Sequence, residues 1–410
     1  MKTISIESQR LSEARLVGDQ YADDLIQKIM EDNTLEGVNF VFDLLGRNKE
    51  LPENLPSYLK EYFDTSNNIL SGIDQAKVEK GMAFFKAYGP QISMMLLCKS
   101  LPSTYACRRG VEVLYRTGRF MKSKEGSLNP FVRRLMETSQ FVLDVMSEGG
   151  ILSNGVGVRT AQKVRLMHAA IRYYLLNNTH VSWDQEDLGI PINQEDMAGT
   201  LLSFAVYPIQ GLEQIGVEVS EEEKEAYLYV WQHIGRIMGV KEELIPQSFK
   251  EGEQLGLEIL NDQKEASEAG KELTKACVDF LEHVTPGTLF DFYPQVLINF
   301  LIGDELSEMV GISTSHERVG RLMNKVLCFL QDGIDDAIDH SSLVRYLATY
   351  FNQHLLQGMI NYFNPDAETH FYIPPSLRDN WINTSKQHNW KEVLSTPSML
   401  NWRLSLQHKN

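Results

Sequence analysis

Cysteine is scarce. The 410 residues contain only Cys98, Cys107, Cys277 and Cys328, with no CxxC spacing, which excludes a disulfide framework and a cysteine-based structural zinc site. Positive charge is short as well. Lys and Arg number 39 against 55 Asp and Glu, a net charge of −16, and a field of that sign repels polyanions, so nucleic acid and acidic membrane surfaces are poor partners. Long apolar runs are missing: the charge-free stretches Pro90 to Cys98 and Phe292 to Gly303 fall well short of the ~20 residues that a membrane helix needs. The opening MKTISIESQRLSEARL has scattered charges and no apolar centre, unlike a secretory signal. These absences together fit a cytoplasmic protein with no transmembrane segment.

Several chemical signatures are also absent. There is no GxxxxGK[ST], GxSxG or HExxH, and no Glu stands three residues before any of the ten histidines. Phosphate cradles, serine hydrolases, zincins and carboxylate di-iron bundles therefore lose support. No repeat of 30 to 50 residues marks a solenoid.

What is present is an ordinary globular composition, 43% apolar and 23% charged, with apolar residues spaced three and four apart along most of the chain. That period predicts an all-α protein. Helices are expected over 12–30, 34–45, 74–88, 105–117, 130–147, 159–176, 194–207, 220–238, 246–265, 266–284 and 295–301, with two more between 315 and 362. Gly89-Pro90 should stop one helix and begin the next. Ser220, followed by three glutamates, reads as a helix cap with acids at the positive end of the dipole. The segments 1–75, 76–250 and 251–410 read as an N-terminal extension, a core and C-terminal helices packed on it, in one irregular helical domain.

VRTAQKVRLMHAAIRYYLL holds the most informative face. Arg165, His168 and Arg172 follow one another at three and four residues and share one side of a helix. Positive neighbours disfavour imidazolium, and neutral imidazole is what a metal or haem iron takes as a ligand. The arginines could pair with carboxylates, including haem propionates. The commoner outcome for such a set is a core histidine with arginines paired to protein acids. One helix earlier, Arg134 and Thr138 stack on one face with Glu137 beside them, and could set a polar spot in an apolar pocket. Between these helices SEGGILSNGVGV supplies Gly149, Gly150, Gly155 and Gly157, a connector without dinucleotide-loop spacing. Thr200 lies on an apolar helix, where a threonine usually bonds back to a carbonyl. Asp332, Asp335, Asp336 and Asp339 could chelate Mg²⁺ or simply form a solvated acidic face.

Arg134 and Thr138, the glycine-bearing connector, RLMHAAIR with His168, and Thr200 after a polar turn, in this order and spacing over roughly residues 75 to 250, resemble the catalytic core of the latex-clearing protein (rubber oxygenase) and MpaB-type oxygenase family. The resemblance implies an all-α, globin-like helical core with additional terminal helices, holding haem b with its iron on His168. It implies that Arg134, Thr138, Arg165, Arg172 and Thr200 line or support the haem pocket, with Arg134 and Thr138 on the catalytic side. The implied activity is oxidative attack on a carbon–carbon double bond, with O2 and an apolar unsaturated molecule as partners, an intracellular lipid or isoprenoid fitting better than polymeric rubber. The rubber-cleaving members carry a lysine just before the pocket threonine, where this chain has Glu137, so a lysine-capped iron is not expected. Two alternatives stay open: a Mg²⁺-dependent isoprenoid enzyme using the aspartates at 332–339, and a non-catalytic haem- or lipid-binding protein.

Overall fold

The computed structural model describes residues 6–32, 56–65, 72–117, 130–177, 182–285 and 293–312, with 348, 351–352, 354–355 and 359. The expected helix at 34–45, most of the segment 315–362, Cys328, the C-terminal tail and the aspartates at 332–339 lie outside them. Among the described residues every regular segment is helical, and the only extended pairing is an isolated antiparallel bridge between Cys107 and Lys264. No helix among them is long and apolar enough to cross a membrane.

The helices run in the order α1 Ile6–Ala14, α2 Gln20–Asp32, α3 Ser57–Thr65, α4 Gln75–Met95, α5 Leu101–Tyr105, α6 Arg108–Arg116, α7 Pro130–Met146 and α8 Val156–Asn177. They continue as α9 Gln185–Leu188, α10 Gln194–Ala205, α11 Tyr207–Gln214, α12 Glu221–Ile237, α13 Phe249–Gln263, α14 Glu268–Val284 and α15 Tyr293–Met309. One apolar core joins residues from Leu11 to Met359. At its centre Trp231 of α12 stacks on Phe204 of α10, 4.9 Å between ring centroids, with Phe141 of α7 and Tyr227 against the indole. Ser220 accepts from the Glu223 N–H while the Glu223 carboxylate accepts from the Ser220 N–H, a reciprocal cap that opens α12 as its sequence predicts.

Two segments depart from the expected pattern. Gly89-Pro90 does not stop a helix: α4 runs on to Met95 with Pro90 inside it. Pro90 has no N–H for the carbonyl four residues back, and further along Leu96–Ser100 winds as a π-helix before α5. The Lys99 ammonium from that turn holds the Leu301 carbonyl and the Gln214 side chain at 2.9 Å, and burial lowers its pKa to about 8.

The helix expected over 12–30 is broken into α1 and α2, because the backbone between them bonds elsewhere. The Arg15 carbonyl accepts from the Ile190 N–H and the Val17 carbonyl from the Gln194 N–H. The Arg15 side chain follows the same route, with Nε 2.7 Å from Glu195 Oε2, Nη2 2.7 Å from Asp196 Oδ1 and Nη1 2.8 Å from the Leu188 carbonyl. Gly189 makes room for it: φ is +72°, and a Cβ there would stand 2.3 Å from Arg15 Cγ.

Burial pushes the Glu195 carboxyl from the ordinary 4.5 up to about 7, against the pull of Arg15. The folded chain therefore holds this proton more tightly than the unfolded one. The resulting stabilisation is complete below about pH 4.5 and is lost as pH rises through about 7. Between pH 5 and 7.5 the melting temperature of Glu195→Gln should fall less than that of the wild type; equal slopes in thermal denaturation would contradict this assignment.

Candidate functional site

Helix α8 carries the Arg165, His168, Arg172 face, and both arginines are held by carboxylates of the N-terminal segment. Arg165 grips Asp19 with two bonds, Nε–Oδ2 2.5 Å and Nη2–Oδ1 2.8 Å, and places its Cζ 5.4 Å from the ring centroid of Tyr21. Arg172 Nε lies 2.7 Å from Asp23 Oδ1, and its Nη1 donates to the Ile192 carbonyl. Asp19 and Asp23 are one helical turn apart, and so meet two guanidiniums set one turn either side of His168. The Asp23 carboxyl is raised by its own burial, with Arg172 pulling against that shift.

Gly239, just past the end of α12, admits the first of these pairs. Its φ is +83°, and a Cβ would stand 2.5 Å from Asp19 Oδ2 and 2.8 Å from Arg165 Nε. A second grip comes from α3, where the Tyr62 hydroxyl donates to the Gln162 carbonyl and Gln162 Nε2 donates to the Phe63 carbonyl. The helix bearing His168 is thus fixed from two sides.

Both arginines pair with protein acids here, the commoner outcome for such a set. Arg165 directs its three bonding nitrogens to Asp19 and the Ile237 carbonyl. In Arg172 only Nη2 is left over, buried and without a hydrogen-bond partner among the described residues. His168 itself is half-buried, with Nδ1 shielded from solvent. Thr200 is exposed, and its hydroxyl bonds back to the Asp196 carbonyl at 2.7 Å. Arg134 is half-buried, and its charge acts on the buried Tyr105 phenol. Glu137 faces Arg133 at 3.4 Å, a pairing along α7.

Thr138 has a different setting. It lines a slot of about 850 Å³, open solvent at the mouth included, between α4, the π-helical turn, α7 and α10. The walls are mainly apolar, among them Phe85, Leu97, Leu135, Leu143 and Phe204, and none of the described lining residues is charged. Helices α7 and α8 pack on one another, with Thr160 of α8 bonded to Asp144 of α7 beside the glycine connector, and His168 is not among the residues that line the slot. Ser139 and Asn352 also line the slot, and sequence periodicity gave no signal for either.

The model of the family described as "ER-bound oxygenase mpaB/B'/Rubber oxygenase, catalytic domain" matches residues 106–328, more than half of the chain. The chain belongs to this oxygenase family. The matched stretch contains Arg134, Thr138, Arg165, His168, Arg172 and Thr200, and reaches further toward the C-terminus than the sequence resemblance did. The rubber oxygenase of Streptomyces sp. (strain K30) is 27% identical over 302 residues, spanning 72% of this chain and 71% of that protein. A solved structure of "Latex Clearing Protein LCP in the closed state" shares the fold with a TM-score of 0.68 at 23% identity, covering 88% of this chain and 95% of the other. Asp19, Asp23 and the π-helical turn precede the part that the family model matches, and Asn352 follows it.

Among the described residues no three His, Cys, Asp or Glu side chains come together as a metal-binding group. The half-buried His168 imidazole is the kind of single protein ligand that a haem iron takes.

Replacing Asp19 by Asn should cost roughly 3–5 kcal/mol in denaturant unfolding, since it strands a buried guanidinium. Adding Arg165→Met should recover part of that loss. If Asp19→Asn unfolds with the wild-type midpoint, the clamp contributes nothing to stability.

Proposed function

We propose that the chain is a haem-dependent oxygenase that uses O2 to attack a carbon–carbon double bond of an apolar, isoprenoid-like molecule, with His168 as the iron ligand. Membership of the oxygenase family, and a curated relative that is a rubber oxygenase, supply the class of reaction. The single observation that carries the rest is the uncharged slot lined by Thr138 on α7, the helix that packs against the His168 helix in an oxygenase fold.

Haem, when bound, supplies the activation of dioxygen toward the alkene. The protein's own groups do the remainder. His168 offers a ring nitrogen, and its orientation follows from α8, which Asp19 and Asp23 anchor through Arg165 and Arg172. Two protein carboxylates offset the two guanidinium charges around the imidazole, so the ligand does not sit in an uncompensated positive field. Thr138 places one hydroxyl in a wall that is otherwise mostly apolar, where it can orient a polar atom of a reactant. The apolar walls exclude water and favour a hydrocarbon chain over a hydrated ligand. Glu137, salt-bridged to Arg133 along α7, puts an acid beside Thr138.

Protein purified from haem-supplemented cells should show a Soret band, and His168→Ala should lose it while its far-UV circular dichroism stays helical. A colourless wild type, or an alanine variant with full haem and unchanged ligation, would overturn the proposal.

A further inference from the structure

The slot has one buried acceptor that the protein does not use. Asn352 is 7% exposed and lines the slot, and its Oδ1 is buried without a hydrogen-bond partner among the described residues. An orphaned carbonyl oxygen is costly in an apolar wall unless something donates to it.

The neighbouring hydroxyls narrow the identity of that donor. Ser93 Oγ donates to the Gly89 carbonyl at 2.8 Å, Ser100 Oγ to the Ser203 carbonyl at 2.7 Å, and Ser203 Oγ to the Thr200 carbonyl at 2.7 Å. All three serines line the slot with their protons already committed to the backbone, which leaves only oxygen lone pairs to offer. These three serines can only accept, the donors left in the wall are the Thr138 and Ser139 hydroxyls and the Asn352 amide N–H, and no cation stands among the described lining residues to balance an anion. Moving a carboxylate or diphosphate into such a wall would strip its hydration with no cation among the described lining residues to offset the charge.

We infer that the slot takes a neutral, unsaturated apolar chain ending in a hydroxyl, whose O–H donates to Asn352 Oδ1, and that it rejects the corresponding acid. Asn352 is thereby a specificity residue. It lies beyond residue 328, where the family match ends, so the part of the wall that selects the head group belongs to the segment outside the shared catalytic region. The inference rests on the slot being the substrate site of the proposed oxygenase, but its test reads binding alone, so a failure of the oxygen chemistry and a failure of the slot assignment give different results.

The test is isothermal titration calorimetry at pH 7.5 on the full chain with three probes of one chain length: farnesol, farnesoate and farnesene. Wild type should bind the alcohol at least about tenfold more tightly than the acid. Asn352→Leu should weaken the alcohol about 3–10-fold, the value of one neutral hydrogen bond, while holding the hydrocarbon as well as wild type does. Retained farnesene binding shows that the variant is folded. Farnesoate binding equal to that of farnesol, no binding of farnesol, or an Asn352→Leu variant with unchanged preference would each overturn the inference. If Asn352→Leu also loses farnesene, the Leu355→Ala variant decides: a parallel loss of the alcohol and hydrocarbon there, with no change in the alcohol-to-acid ratio, supports the slot, and wild-type affinity for both overturns it.

Discussion

Two carboxylates one helical turn apart, Asp19 and Asp23, hold two guanidiniums that flank a single histidine, and most of the site's geometry depends on that arrangement. Arg165 and Arg172 are too long and too buried to stand alone in the core; without the acids they would drive α8 outward or demand another counterion. Because the acids come from the N-terminal segment, the first turns of the chain must fold back on α8 and α10 before the histidine helix has a fixed position. Arg15 ties the same segment to Glu195 and Asp196, so three side chains within nine residues hold it in place. Gly189 and Gly239 are the spaces through which two of these contacts are made.

The slot is built on a different irregularity. Pro90 within α4, followed by the π-helical turn at Leu96–Ser100, displaces the regular side-chain register and sets Leu96, Leu97, Ser100 and Leu101 along one wall. Short π-helical stretches are kept where function repays their poorer geometry. Here the turn is secured by Lys99 and by the Ser100 hydroxyl, while α7 supplies Thr138 opposite. The charged clamp lies on α8 and the uncharged slot is lined in part by α7, two helices that pack on one another.

Much of this was legible in the sequence. The 3.6-residue period identified the helices, Ser220 and its glutamates marked the start of α12, and the shared face of Arg165, His168 and Arg172 was visible from spacing alone. The partners of that face were not, because Asp19 and Asp23 lie 146 and 149 residues away and local periodicity carries no information about such distances. The same limit hid Asn352. The break between α1 and α2 was missed because backbone bonding to residues 190 and 194 overrode a helical pattern, and the continuation through Pro90 because tertiary packing outweighed a local stop signal. Thr200 behaves as a threonine in a helix commonly does, returning its hydrogen bond to a carbonyl.

The most direct test of the account is product analysis of haem-loaded protein supplied with ¹⁸O2 and an unsaturated isoprenoid alcohol, with the carbonyls trapped by reduction as they form. Cleavage of the double bond by O2 predicts two trapped fragments that each carry one ¹⁸O. Fragments labelled from water, or an intact substrate alongside fully loaded protein, would contradict it.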